Sequence, residues 1–296
     1  MKTLVYGSCN LDYIYKVPRI VAPGETVGVA AMRKSPGGKG LNQAVALKKA
    51  GLEVYFAGKC GPDGALLHET LVNCGMDVSF LRVCEAPSGQ AHIQVTPNGG
   101  NAILLYRGAN HLVTRAEIDE TLAFFGAGDL LVLQNEISEL SYLIDSGFSR
   151  GMRVALNPSP FDEAMLKIDY NKVWLVFINE TELAGLSCGR GAEAFIAEAR
   201  AAFPDTRWVI TLGDQGSMYF DRETLLTQAA FPVNAVDTTC AGDTFEGFFT
   251  EALCRGLPPA EALRRASAAA AVTVSRMGAA GMIPCREEVE ALLSRG

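Results

Sequence analysis

The sequence predicts an α/β fold: a mostly parallel sheet flanked by helices on both faces, with a small β lid. Three observations carry that expectation. Short apolar runs alternate with segments of helical period along most of the chain, the pattern of parallel strands joined by crossover helices. Polar residues recur just past the strand ends, at Asn135-Glu136, Asn157-Pro158-Ser159-Pro160, Asn179-Glu180-Thr181-Glu182 and Thr211-Leu212-Gly213. Ligands of open α/β sheets sit at such ends. Finally, β-prone stretches without helical period stand apart from the alternation. No repeat, low-complexity stretch or linker interrupts the 296 residues, so one domain over 1–296 is expected, with a lid from about 12–34 and 88–108.

Thr3–Tyr6 reads as a buried strand ending at Gly7-Ser8. Asn10 and Asp12 are expected in the loop beyond it, as ligand contacts or as ordinary turn residues. Pro18 and Pro23-Gly24 precede a β-prone piece over 27–32, which joins similar pieces over 90–95 and 102–106 in the lid. Ser35 to Ala44 holds three glycines in four residues and opens a helix through Lys49. Such a turn lets backbone approach a ligand, or is simply flexible. It is not a Walker A loop, because Gly40 follows Lys39 and Arg33 stands where the leading glycine belongs. No G-x-G-x-x-G occurs, so a dinucleotide enzyme has no support.

Strands are then expected over 54–57, 130–134, 153–157, 173–178 and 208–212, alternating with helices over 64–74, 138–150, 180–186 and 192–203. Short β pieces follow near Met218 and Leu225, and helices start at Ala241, Pro258 and Arg286. The stretch Val236-Asp237-Thr238-Thr239-Cys240-Ala241-Gly242-Asp243-Thr244-Phe245 is a tight turn breaking into a helix. Phe245, Phe248, Phe249 and Ala252 recur at helical spacing, so one face is core. Ala241 and Gly242 leave their N–H groups open at the positive end of the helix dipole, a site for an anion. Asp243, in the first turn, is expected to be ionised beside that site, although an acidic first turn is also plain capping.

Composition narrows the class. Apolar residues make up 49% and charged residues 20%, a globular balance, and the net charge of −7 argues against a nucleic-acid surface. Eight scattered cysteines without a Cys-x-x-Cys pair, and His68, His92 and His111 without ligand spacing, give no zinc site and suggest reduced thiols. Residues 1–10 form a strand rather than a signal peptide, and the Ala-rich run over 266–274 is too short to span a membrane. A cytoplasmic protein without membrane or nucleic-acid partners is expected.

Taken together, Gly7-Ser8-Cys9-Asn10-Leu11-Asp12, Pro23-Gly24-Glu25-Thr26, Gly37-Gly38-Lys39-Gly40-Leu41-Asn42-Gln43-Ala44, Asn179-Glu180-Thr181-Glu182 and Ala241-Gly242-Asp243-Thr244-Phe245 resemble the ribokinase-like (PfkB) carbohydrate kinases, their ribokinase branch most. The similarity runs through the whole chain in the family's order. It implies that Asp243 is the catalytic base and that the amides of Ala241, Gly242 and Asp243 form an anion hole. Phosphoryl transfer rests on positioning and charge, so a carboxylate with pKa near ~4 suffices. Positions matching Asn10, Asp12, Gly38, Lys39, Asn42 and Glu136 hold sugar hydroxyls, together with Asp243. Asn179 and Glu182 match residues that organise phosphate and Mg²⁺, Glu182 indirectly, and Asn179, Thr211, Gly213 and Gly216 match nucleotide contacts. Asp237 and Thr239 begin a loop that binds a monovalent cation, K⁺, completed by backbone at Thr273, Arg276 and Gly278.

Some positions depart from the pattern. Cys240 and Phe248 replace small residues, Ser267 stands where Asn or His often faces the nucleotide, and Met282 replaces a serine hydroxyl with a thioether, a poor partner for a hard cation. Cys240 is expected to be a packing residue rather than a nucleophile. Arg107 is either solvated or reaches the site, where it would favour a bulkier or phosphorylated substrate. The implied activity is ATP-dependent phosphorylation of a sugar hydroxymethyl group, with D-ribose leading. Another sugar, a nucleoside or a sugar phosphate is the alternative, and a non-catalytic sugar sensor the rival, for which an anion hole has no use. By analogy the lid also makes a homodimer.

Overall fold

In the computed structural model, which describes residues 1–294, the alternation expected from the sequence becomes a layered sheet. The chain begins with β1 (Thr3–Tyr6), β2 (Asn10–Lys16), β3 (Ala31–Gly37), α1 (Lys39–Ala50) and β4 (Val54–Cys60). It continues through α2 (Ala65–Asn73), β5 (Asp77–Val83), β6 (Gly89–Val95), β7 (Asn101–Tyr106) and α3 (Arg115–Leu122). Next come β8 (Leu130–Gln134), α4 (Leu140–Ser149), β9 (Arg153–Asn157), β10 (Leu175–Ile178), α5 (Glu180–Leu186) and α6 (Gly191–Ala202). The last part holds β11 (Arg207–Thr211), β12 (Ser217–Phe220), β13 (Leu225–Gln228), α7 (Ala241–Cys254), α8 (Pro259–Val274) and α9 (Arg286–Leu293).

Nine strands pair in the order β13-β12-β11-β10-β9-β8-β1-β4-β5. All neighbours are parallel except β11, β12 and β13, which run antiparallel at one edge. Strand side chains alternate faces, so the buried strands feed two cores. Val5, Val132 and Val209 point to one face, beneath α1, α7 and α8; Leu4, Leu131 and Trp208 point to the other, beneath α4 and α6. The first core is closed by Phe245, Phe248 and Phe249, the stripe expected on α7.

A second sheet, ordered β3-β2-β6-β7, stands beside the first. Its β2 pairs along its whole length with β3 and β6, from Asn10 opposite Gly37 and Gly89 to Lys16 opposite Ala31 and Val95. Asn10 and Asp12 therefore lie in a strand, not in the expected loop. Ladder bonds on both sides of β2 outweigh the turn preference of its polar residues. The β-prone piece expected over 27–32 is displaced to Ala31–Gly37. Pro36 did not read as strand, yet β3 is an edge strand, where proline costs no ladder bond. Neither β5 nor α3 was anticipated: β5 is a half-exposed edge without an apolar run, and α3 is short and charged. Only its capping box, Thr114 with Glu117, marked that helix in the sequence.

Two close approaches place the site. A Cβ on Gly40 would lie 2.5 Å from the Ser8 nitrogen, so only glycine lets the start of α1 press on the end of β1. A Cβ on Gly247 would lie 2.5 Å from Ala46 Cβ, so α7 crosses α1 at backbone distance. Both helices thereby bring their N-termini to the carboxyl ends of the sheet strands.

Candidate active site

At that crossing Asp243 meets the first turn of α1. Its Oδ2 accepts a hydrogen bond from Asn42 Nδ2 (3.0 Å) and its Oδ1 one from Gln43 Nε2 (3.1 Å). Burial pushes the Asp243 carboxyl above its ordinary value, against the pull of Lys39 and the two amides. The expectation of an ordinary ionised carboxylate is corrected to this extent: water is largely excluded, and the partners only partly replace it. Desolvation pulls the Lys39 ammonium down, but Asp243, Glu136, Glu246 and Glu182 around it prevail and hold it above its ordinary value.

Fewer amides are free at this helix start than expected. The Ala241 N–H donates to the Thr238 carbonyl at 3.2 Å, leaving the Gly242 and Asp243 amides open at the head of α7. The turn that delivers them puts Cys240 in the left-handed region at φ 63°, a strained position for a residue with a side chain. Its thiol is buried, and burial followed by the Asp243 charge pushes it well above the ordinary value, so it stays protonated. That agrees with a packing role.

On the far side of Lys39 lie the residues expected to meet a sugar. Asn10 and Asp12 are two apart on β2 and share one face. Asn10 Oδ1 accepts from Asn110 Nδ2 at 2.7 Å, and Asn110 Oδ1 accepts from the Cys9 N–H at 3.1 Å, so Asn110 fixes which end of Asn10 is free. Glu136 Oε2 accepts from the Ser8 hydroxyl and from the Lys39 N–H at 3.1 Å, capping α1, while Oε1 takes no hydrogen bond from the described residues. Gly38 is the cap residue of that helix, at φ 93°. Burial, then the Glu136 charge, raise Asp12 to about 7, and no described side chain compensates it. Arg107 is solvated: it is exposed and donates to His111 Nε2 at 3.0 Å.

Two cavities adjoin the head of α7. A recess of about 240 Å³ is lined by Lys39, Asn157, Glu182, Gly242, Asp243 and Glu246. A cleft of about 690 Å³ continues past Ala241 and Gly242 between apolar walls that include Phe231, Val233 and Val274. Asn179, Thr211, Gly213, Gly216 and Ser267 line the cleft. Asn179 and Glu182 cap each other: Asn179 Oδ1 accepts from the Glu182 N–H at 3.2 Å and Glu182 Oε2 from the Asn179 N–H at 2.9 Å.

Asp237 gathers the remaining loops. Its two oxygens accept from the N–H groups of Thr239 (2.9 Å) and Gly278 (3.0 Å). The other two expected cation residues turn their side chains elsewhere. Thr273 is buried with its hydroxyl on Thr244 and Ala269, and Arg276 pairs with Glu288. Only their carbonyls can face a cation, and that of Thr273 already accepts the Arg276 N–H at 3.1 Å.

Three contributors escaped the sequence reading, Gln43, Gln134 and Glu246, and Asn157 was marked there only as a polar strand end. Gln134 Nε2 donates to Gln43 Oε1 at 2.6 Å, and Asn157 Nδ2 donates to Glu246 Oε1. Burial, then the charge of Asp243, push Glu246 well above the ordinary carboxylate range. Gln43 lies inside a recognised motif, Glu246 directly follows one, and Gln134 and Asn157 close predicted strands, but nothing local shows that they converge.

A family model described as the pfkB family carbohydrate kinase matches residues 2–286. The chain belongs to the PfkB family of carbohydrate kinases. It is therefore a phosphotransferase with an alcohol group as acceptor. It is 36% identical to a ribokinase of Bacillus subtilis (strain 168), over 98% of both chains, and 34% identical to one of Haemophilus influenzae, over 97% of each. Among solved structures, an Arabidopsis thaliana ribokinase complexed with ribose and ATP superposes with a TM-score of 0.84 at 29% identity, covering 98% of each chain.

Asp12 gives a stability prediction. Its folded pKa of about 7 exceeds the ordinary value, so in the window between them the folded protein keeps a proton that the unfolded chain has released. This makes stability fall as pH rises from about 4 to about 7. The variant Asp12→Asn removes that loss. Its urea midpoint should gain on wild type progressively across the window, and parallel midpoints would refute the assigned shift.

Proposed function

We infer that this chain transfers the γ-phosphate of ATP to the hydroxymethyl group of D-ribose, giving ribose 5-phosphate. The observation that carries the reading is the position of Asp243 in a polar recess that shares Ala241 and Gly242 with an apolar-walled cleft, beside the open N–H groups of α7. The ribose and ATP of the Arabidopsis relative support the same pair of ligands. In this reading a purine lies between the apolar walls, with Ser267 on its flank and Thr211, Gly213 and Gly216 beside it. The phosphates then reach the amides of Gly242 and Asp243, where the helix dipole favours negative charge.

Asp243 takes the proton of the acceptor hydroxyl as the phosphoryl group moves. Its raised pKa suits that task, because a stronger base accepts the proton more readily. Lys39 offsets the charge that gathers between sugar and phosphate. Asn10, Asp12, Gly38, Asn42 and Glu136 orient the other hydroxyls. Asn42 Oδ1, buried without a partner among the described residues, offers an acceptor for one of them. Oxygen donors fit Mg²⁺, which is usually held by one or two carboxylates and the substrate phosphates. Glu182 would hold it indirectly, with Asn179 ordering the same turn, and the ion would neutralise developing phosphate charge.

The small sheet serves as a lid over the sugar, and its exposed apolar side chains support a homodimer. Ile103, Leu104, Tyr106 and Met32 are all more than half exposed there. A bound K⁺ at Asp237, Thr239 and the carbonyls of Thr273, Arg276 and Gly278 would order the turn before α7. Met282 lies against Gly278 and offers no hydroxyl, so one ligand would be water.

Three outcomes test this function. ADP release should be fastest with ribose among pentoses, hexoses, nucleosides and sugar phosphates, and Asp243→Asn should lower turnover at least a thousandfold, by roughly 4 kcal/mol or more. Preference for another acceptor would retire ribose; near-normal turnover of the variant would retire Asp243 as base. Turnover should be several-fold higher in potassium than in tetramethylammonium at fixed ionic strength, and equal rates would remove the cation site. In sedimentation the wild type should be dimeric and Leu104→Asp monomeric; an unchanged assembly would move the interface off the lid.

A further inference from the structure

Two glutamines lie beneath the Asp243 carboxylate, and the family reading assigns neither a role. Gln43 and Gln134 are 1% and 0% exposed, and neither lines the recess. Their hydrogen bonds run in series, from Gln134 Nε2 to Gln43 Oε1 (2.6 Å) and from Gln43 Nε2 to Asp243 Oδ1 (3.1 Å).

The direction of this series follows from chemistry. An ionised carboxylate only accepts hydrogen bonds, so Gln43 must present its NH₂ end to Asp243. Its carbonyl end then faces Gln134, which must in turn donate. Inverting Gln134 would set two carbonyl oxygens against each other and turn its NH₂ toward Gly7, which crowds that side. The cost of the arrangement is visible: Gln134 Oε1 is buried without a partner among the described residues. An orphaned buried acceptor is destabilising, so packing alone would favour an apolar side chain here.

We propose that Gln134 and Gln43 form a two-amide relay that fixes the orientation of the Asp243 carboxylate toward the acceptor hydroxyl. This inference rests on the kinase reading of Asp243. Asn42 holds Oδ2 and the relay holds Oδ1, so the carboxylate plane is set by an anchor on each oxygen. Gln134 ends β8 and Gln43 sits in the first turn of α1, so the central sheet registers the base through these amides. Both are positioning residues that act through Asp243.

The test is a double-substitution cycle on the whole enzyme. Gln43→Leu should lower kcat about tenfold to a hundredfold, as expected for losing a hydrogen bond to a charged group, with the KM values for sugar and ATP within twofold. Gln134→Leu should lower kcat by a smaller factor with the same unchanged KM values. Added to Gln43→Leu, it should change kcat less than twofold, because no amide remains to orient. Crystal structures of the single variants should show the Asp243 carboxylate turned from its wild-type plane. Should a leucine variant fail to fold, Gln43→Met and Gln134→Met, of similar length, carry the same measurements. Wild-type kcat in folded Gln43→Leu, additive losses in the double variant, or an unmoved Asp243 carboxylate in both structures would each overturn the relay. A wild type inactive on every sugar would instead remove the kinase reading, and the crystal structures would then decide the relay by themselves.

Discussion

The site depends on two helix N-termini that meet over one carboxylate. Ordinary side chains would keep α1 and α7 about 8–10 Å apart. Here Gly247 against Ala46 lets their backbones close in, and Gly40 seats the start of α1 on the end of β1. Asn42, Gln43 and Asp243 thereby fall within hydrogen-bonding reach although some 200 residues separate them in sequence. A buried charge is costly unless hydrogen bonds and dipoles replace its water. The two amides and the positive ends of both helices replace much of it, and the residual cost appears as the raised pKa of Asp243.

Charge at the site is strongly unbalanced. Lys39 faces Asp243, Glu136, Glu246 and Glu182, and Asp12 lies close to Glu136. Burial and neighbouring negative charge raise Asp243, Glu246 and Asp12 above the ordinary carboxylate value, Asp12 to about 7. The open amides of Gly242 and Asp243 supply fixed positive ends where phosphate would lie, without adding another mobile charge. The strained turn at Cys240 serves the same end. Its left-handed conformation aims the chain so that those amides open into the recess, and its thiol fills space beneath them.

The layered α/β class was legible because buried parallel strands must be apolar on both faces, while the covering helices carry a periodic stripe. Leu130–Gln134 and Arg153–Asn157 were therefore read to the residue. Where those forces weaken, the reading failed. Strand β5 packs one half-exposed face, β3 tolerates Pro36 as an edge, and α3 shows only a cap. Asn10 and Asp12 looked like turn residues because nothing nearby in sequence reveals the partners, Gly37 and Gly89, that draw them into a ladder.

The sequence by itself determined the fold class, the phosphotransferase family and the motifs that supply Asp243, Lys39 and the head of α7. Each of these is local: a glycine pattern, a cap, a helical period. Tertiary structure alone decided which groups surround Asp243. It placed Gln134 from β8 behind Gln43 from α1, brought Asn157 to Glu246, and spent the Ala241 N–H on Thr238. It also turned the side chains of Thr273 and Arg276 away from Asp237. Hydrogen-bond direction and desolvation depend on neighbours delivered by distant segments, and no local pattern encodes those neighbours.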